Sequence, residues 1–508
     1  MTGIVLHKKN RNMKKAGLII LSVFSVFLSA NSQNVDDALR YSQLFYSGTA
    51  RFNSMGGAFT ALGGDLSSLS LNPAGVGIYR SFEFTVTPQL LYNNVKTVFN
   101  NSPSSDFRYN FNLNQAGFVA NIISTENTKG LINLNVAYSF VRTNNFNENI
   151  TINGISNNSS MADYWVSLAN GNNKSNLNDL AWAAYATYLI DTIPGSNTLY
   201  GTIWSHYGDS TNSTYGQTMR RIITNDGYTG EHSFTIGGNF DNKVYFGATL
   251  GISRLSYNGH YQHIEADDQK LIYDFENFTY TDELEASGTG YSLKLGTIIR
   301  PVEFLRLGFS FHSPVIYRIH EYFQDIVSSK WEFYDSEHNN NYVEPNTPMR
   351  YSYTLTTPFR VDAGVAFQLK KLAIFSADYE LVDYRMARFS KASDSYDYYN
   401  ENQSIKNILK TTSNIRLGAE FRVNNMYLRG GYGHYGKAFK QGEINENLDY
   451  NSISFGVGFR QANFFFDMAF TNLSNAQNYL MYLDPSYLQP VTITTSKNTF
   501  TATLGFKF

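Results

Sequence analysis

With 508 residues, a formal net charge of −2, a pI near 6.5 and a mean hydropathy of −0.31, the chain lacks the basic surface that nucleic-acid binding requires. It contains no cysteine, which excludes disulfides, thiolate metal sites, a cysteine nucleophile and lipidation at an N-terminal cysteine. Its 37 Tyr and 38 Phe lift aromatics to 16% of the chain beside only 16% charged residues, a mixture that suits a β protein at a water–lipid boundary, where amphipathic rings gather in girdles.

In chain order, Lys14 and Lys15 precede an apolar run over 16–28, and the small residues Ala30 and Ser32 follow, with Gln33 as the expected mature start. This layout predicts a cleaved secretory signal over residues 1–32. The run is shorter than the roughly 20 residues of a spanning helix, so it is not read as an anchor. Met13 offers an alternative initiator, because MKKAGLIILSVF is itself a typical signal opening. No long apolar run follows, so membrane insertion has to be by strands.

Residues 33–80 form the next unit. The segment 33–46 is polar and compatible with a short helix. The stretch from Gly48 to Gly77 holds seven glycines, several small polar residues and an Asn-Pro-Ala-Gly turn at Asn72, Pro73, Ala74 and Gly75. Glycine permits positive φ and close backbone approach, so this stretch is predicted to be a compact plug rather than a long regular element. Gly56, Gly57, Gly63 and Gly64 let its backbone fold tightly. Asn72 and Pro73 fix the turn, proline by pre-setting φ and asparagine by bonding its own backbone.

From Ser81 to the last residue the pattern has period two. Phe500, Ala502, Leu504, Phe506 and Phe508 alternate with Thr501, Thr503, Gly505 and Lys507, and similar alternation runs through 453–459 and 415–423. Each such segment has one apolar and one polar face. About fourteen segments are counted: 81–93, 107–122, 130–144, 229–241, 243–260, 284–301, 303–318, 347–370, 372–391, 408–424, 426–438, 446–461, 462–474 and 494–508. Tight turns at 241–243, 300–303, 370–371, 424–425 and 460–461 alternate with long polar links at 145–228, 261–283, 319–346, 392–407 and 475–493. Short turns at one end and long loops at the other are the layout of a transmembrane barrel. The expected fold is therefore all-β, a transmembrane antiparallel β-barrel of about 14 strands over 81–508, with residues 33–80 as an N-terminal hatch inside the lumen. Such a lumen is wider than one layer of inward side chains can fill, so it needs an occupant. Within the longest link, 161–190 has helical spacing with Trp182, Tyr185 and Leu189 on one side, which predicts one or two short helices capping the mouth. Pro88 and Gly117 are candidates for a kink or gap in the wall, or for ordinary bulges.

The stretch GTARFNSMGGAFTALGGDLSSLSLNPAG closely resembles the N-terminal hatch of the FadL/OmpP1/TodX family of outer-membrane transporters of hydrophobic compounds, with Asn72-Pro73-Ala74 matching that family's NPA motif. The run from Asp378 to Tyr384 resembles a late-barrel motif of the same family, and Phe508 looks like the C-terminal aromatic read by the barrel assembly machinery. The resemblance implies a fourteen-stranded barrel with a hatch, and passive uptake of long-chain fatty acids or similar hydrophobic compounds past a kinked strand. It implies outer-membrane lipid and the assembly machinery as partners, no cofactor, and no enzymatic role. The Asn- and Tyr-rich style resembles the Bacteroidetes branch, whose members are often labelled hemin receptors or general hydrophobic transporters. A hemin or other apolar-ligand receptor, a non-transporting scaffold of a secretion system, and an open porin are the alternatives.

Other constellations carry less. Gly431-Tyr432-Gly433-His434-Tyr435-Gly436 matches G-x-G-x-x-G, but a dinucleotide site needs it to open a helix after a strand. His260 and His263 lie three apart on a strand and so face opposite ways, which argues against a shared metal ion; no metal site is expected. No spacing of Ser, His and Asp singles out a catalytic group. Arg306, Arg360, Asp362, Arg416, Glu420 and Arg422 are read as inward charges that form lumen-lining ion pairs with the plug, because unpaired charge in a confined lumen is unfavourable, with a selectivity ring as the alternative.

Overall fold

The computed structural model describes residues 34–125, 129–206, 214–332, 341–393, 395–483 and 490–508. The expected signal segment 1–32 lies outside the described residues.

The period-two segments form one antiparallel sheet with fourteen staves. These are β1 (Glu83–Phe99), β2 (Ser102–Ser124), β3 (Leu131–Asn145), β4 (Gln217–Phe240), β5 (Val244–Ala266), β6 (Phe275–Val302) and β7 (Leu305–His312 with Ile316–Trp331). They continue with β8 (Met349–Thr356 with Arg360–Leu369), β9 (Ala373–Asp383), β10 (Thr411–Val423), β11 (Met426–Tyr435), β12 (Tyr450–Arg460), β13 (Phe464–Tyr479) and β14 (Val491–Lys507). The last stave pairs back onto the first, from Glu83↔Lys507 to Val98↔Thr492. The sheet is thereby closed into a barrel, with neither the first nor the last stave left as a free edge.

The alternation sorts side chains as expected. Phe234, Phe309, Leu417, Phe455 and Phe500 stand exposed on the outside, while Asp362, Arg416 and Asp467 are wholly buried in the lumen. The tight turns fall at one end. The other end has one short connection that the sequence reading missed: β1 and β2 run on to a two-residue turn at Asn100 and Asn101, with φ of 47° and 64°. Asparagine tolerates the left-handed region better than most residues, and a hairpin of this type needs it twice. The segments expected at 303–318 and 347–370 are each broken in two, at Pro314 and at Pro358. Proline has no N–H for the ladder. The two breaks lie side by side and are stitched by Thr357 N donating to Val315 O at 3.0 Å and Val315 N donating to Thr357 Oγ1 at 2.9 Å.

The lumen is filled in layers. Lowest, at the tight-turn end, is the hatch, containing α2 (Ala50–Ser54) and two 3-10 turns, Leu66–Ser70 and Pro73–Ile78. Above it lies α1 (Val35–Ser42), started by a capping box in which Asn34 Oδ1 accepts from Asp37 N at 3.0 Å. Leu39 and Tyr41 of α1 pack with Tyr257, Tyr317, Tyr353 and Phe389, and with Ile405 of α5 (Tyr399–Ile408). At the top are α3 (Met161–Ala169) and α4 (Asp179–Ala186), as the 161–190 pattern predicts. The buried ring there is Trp165, whereas Trp182 and Tyr185 stack on the outer side beside Lys174. The lumen-facing Glu265 of β5 accepts from Ser160 Oγ and Met161 N, both at 2.7 Å, and so ties the start of α3 across the mouth.

Candidate functional site

The hatch and the wall are shaped for each other. Asn72 is wholly buried; its Oδ1 accepts from Ala74 N at 3.0 Å, which caps the turn begun by Pro73. Its Nδ2 lies 2.6 Å from Thr60 O, 3.2 Å from Thr297 O and 3.4 Å from Phe309 O, so the same amide joins two parts of the hatch to β6 and β7. Gly56, Gly57, Gly63 and Gly64 all have φ between 58° and 71°. A Cβ on Gly75 would stand 2.7 Å from Ser68 Oγ and 3.0 Å from Gly63 Cα.

The wall answers with glycines of its own, a feature the sequence reading treated only as the polar face of strands. A Cβ on Gly296 would lie 1.9 Å from Asn72 Oδ1, on Gly308 2.1 Å from Thr60 O, and on Gly431 2.1 Å from Gly56 N. The hatch backbone is therefore flush against β6, β7 and β11. The signal in the sequence was a glycine inside a strand, which marks close backbone approach. Gly431, the first glycine of the G-x-G-x-x-G match, sits within β11 with no helix after it.

The inward charges complete the fastening. Arg51 of α2 pairs with Glu420 at 3.0 Å, and Asp378 accepts from Thr60 N at 2.9 Å. Arg360 donates to the carbonyl of Ser42 at the end of α1 at 2.6 Å, and Arg306 to the hatch carbonyl of Leu62 at 2.8 Å. The remaining pairs lie within the wall: Arg360 with Glu380 at 2.6 Å and Arg416 with Asp362 at 2.8 Å. Only part of the expected pairing with the plug is thus ionic; backbone carbonyls take much of it. Lys294, absent from the sequence reading, bridges Glu231 at 2.6 Å and Ser70 O at 2.7 Å.

The second element is a seam in the wall. β2 pairs with β1 as far as Ser102, but its ladder to β3 runs only from Ser124 to Gln115. Beyond Arg142 the chain of β3 leaves β2 and continues as Glu148–Ser156, which pairs with β4 alone. It leans over the inner face of β1, where Asn147 O and Thr151 O accept from Asn93 Nδ2 at 3.2 Å and Thr97 Oγ1 at 2.7 Å. Among the described residues, the edge of β2 above Gln115 is held only through side chains. Thr151 Oγ1 donates to Asp106 at 2.7 Å, Asn145 Nδ2 to Asn110 Oδ1 at 3.3 Å, and Arg108 pairs with Asp226. On the outside, Phe107, Tyr109 and Phe111 line this edge, with Phe111 75% exposed.

The lower corner of the seam touches the hatch. Phe45 N donates to Thr143 O at 3.0 Å, and Asn114 Nδ2 donates to Gly48 O at 2.6 Å. Of the two candidate marks, Pro88 coincides with a register shift between β1 and β2, an ordinary bulge. Gly117 lies two residues below the end of the β2–β3 ladder, where a Cβ would meet Tyr138 O at 2.5 Å.

The two histidines do face opposite ways: His263 is buried at 2.9 Å from Glu265, and His260 is outside at 3.4 Å from Glu283. Among the described residues no group of three or more His, Cys, Asp and Glu is placed to hold a metal ion. Phe508 N donates to Phe82 O at 3.0 Å, and its ring stays exposed beside Phe82 at the barrel's lower rim.

No family model matches the chain, and no curated protein matches it. Among solved structures, the fold is similar to that of a Pseudomonas aeruginosa FadL homologue, with TM-score 0.55 and 10% identity over 92% of this chain and 100% of that one. It is likewise similar to the P. putida toluene transporter TodX, with TM-score 0.52 and 11% identity over 91% and 99%. At these identities the likeness establishes a shared fold.

Proposed function

We propose that the chain is an outer-membrane channel for passive uptake of hydrophobic small molecules, with long-chain fatty acids as its cargo. The observation that carries this reading is the seam. The route along the barrel axis is filled by the hatch, α1 and the cap, whereas the wall between β2 and β3 lacks its backbone ladder beside an exposed aromatic edge. A filled axis suits no polar solute. A side exit into lipid suits an apolar one, whose burial contributes about 0.8 kcal/mol per CH₂ and which gains nothing from a water-filled path. The fold shared with a toluene transporter and with a FadL homologue supports the same class of cargo.

On this reading Asn72, Pro73, Ala74 and Gly75 hold the hatch turn, Gly56, Gly57, Gly63 and Gly64 let it close, and Phe508 serves insertion by the barrel assembly machinery. Uptake of labelled oleate by cells lacking the protein, with and without the gene restored, tests the cargo. A clear gain on restoration supports fatty acids. No gain, with the barrel shown to be assembled, removes them and turns attention to hemin or another apolar ligand.

A further inference from the structure

The lower mouth of the barrel holds a second site, at the tight-turn end and away from the seam. A cavity of about 600 Å³ opens there between β10 and β14, lined by Arg422, Tyr427, Arg460, Phe465 and Lys507. All five occupy lumen-facing positions of their staves, one layer below the ion pairs of Glu420 and Asp467 with Arg429.

The charge around this cavity is not balanced. Arg422 donates its Nε to Asn424 O at 2.9 Å and has no carboxylate partner among the described residues. Arg460 reaches Asp467 only at 3.8 Å, and that carboxylate is already bound by Arg429 at 2.6 Å. The Nε of Arg460 has no hydrogen-bond partner among the described residues. Lys507 is the exception, paired with Glu83 at 3.0 Å. The Arg460 guanidinium lies 5.0 Å from the rings of both Tyr427 and Phe465. Two rings fix its plane and leave its edge for an acceptor, and a planar fork of donors matches a carboxylate or phosphate.

We propose that this cavity binds an oxyanion head, carboxylate or phosphate, carried on an apolar body. The head pairs with Arg422 and Arg460, and the body lies against Tyr427 and Phe465. The site is independent of the uptake reading, since it lies away from the seam and binds from the tight-turn side. An anionic amphiphile and a free oxyanion share the head-group chemistry, and the rings favour the amphiphile.

The test uses the full-length protein in phosphatidylcholine nanodiscs, with octyl phosphate, inorganic phosphate and octanol as probes in calorimetric titrations. Octyl phosphate is expected to bind more tightly than either other probe. Replacing Arg422→Gln, and separately Arg460→Gln, is expected to weaken it by about tenfold each, the loss of one charge-assisted contact. Arg422 takes part in none of the wall's ion pairs among the described residues, so Arg422→Gln is not confounded by misfolding. Unchanged affinity in both variants, or octanol binding as tightly as octyl phosphate, would overturn the site. Inorganic phosphate binding as tightly as octyl phosphate would overturn the apolar part and leave a free-oxyanion site.

Discussion

At the scale of single residues, the fit between hatch and wall depends on glycines, which carry no side chain. Gly296, Gly308 and Gly431 give the hatch backbone its contact with the wall, and each has no room for a methyl group. Gly308→Ala is expected to push Thr60 and its neighbours off β7, at a strain of about 1–3 kcal/mol in local packing. The fourteen staves do not depend on that contact, so the barrel should still run as a folded species on a gel while the hatch becomes open to protease. A hatch as protected as in the native protein would contradict the tight fit. Asn72→Ala is expected to act similarly, because it leaves Thr60 O, Thr297 O and Phe309 O without the amide that serves them.

The N-terminal helix carries a pH signature of its own. Burial holds the Asp37 carboxyl up at about 7, against the opposing pull of Arg40. A carboxyl raised on folding binds its proton more tightly when docked, so docking is strongest at acidic pH and weakens as pH rises from about 4 to 7. The slope is at most one proton, or ~1.4 kcal/mol per pH unit. Hydrogen exchange over 35–42, corrected for intrinsic rates, should therefore show more protection at pH 5 than at pH 8. Asp37→Asn should flatten that difference, and an unchanged difference would remove Asp37 as its cause. The hatch motif was legible in the sequence from Asn72-Pro73 and the glycines. The carbonyl partners were not, because nothing in a sequence says which distant backbone oxygen a half-buried arginine such as Arg306 will meet.

At the scale of elements, alternation located the staves and the tight turns well. It misplaced their upper ends for a physical reason. Beyond the outward apolar band both faces meet mixed surroundings, so polar stretches such as 94–106 look like loops although they form a hairpin. Pro314 and Pro358 were visible as residues, but that their breaks lie side by side follows only from register. The seam had the same character. Asparagines at 110, 112 and 114 could be read as a polar face, yet the parting of β3 from β2 depends on how Glu148–Ser156 pairs with β4. The cap depends on one lumen carboxylate. Glu265→Ala is expected to raise hydrogen exchange in α3 by several fold by removing the acceptor of Ser160 Oγ and Met161 N, while α4 changes less. Equal exchange in the native and altered proteins would show that packing around Trp165 alone holds the cap.

At the scale of the whole molecule, the proposed channel reading rests on the closed barrel, the filled lumen and the outward apolar band. The sheet closes β14 back onto β1, and the hatch, α1 and cap fill the axial route. Among the described residues, the seam where the β2–β3 ladder stops at Gln115 is the gap that reaches down to the level of the hatch. The measurement that tests this most directly locks that seam. The chain has no cysteine, so Asn110→Cys with Asn145→Cys places the two thiols of the molecule across it. Cells carrying this variant are treated with a short, reducible thiol-to-thiol reagent, and uptake of a labelled hydrophobic probe is followed before and after reduction. The account predicts uptake mostly lost in the bridged protein and restored on reduction. Uptake unchanged by a bridge shown to have formed would mean that cargo leaves the barrel elsewhere.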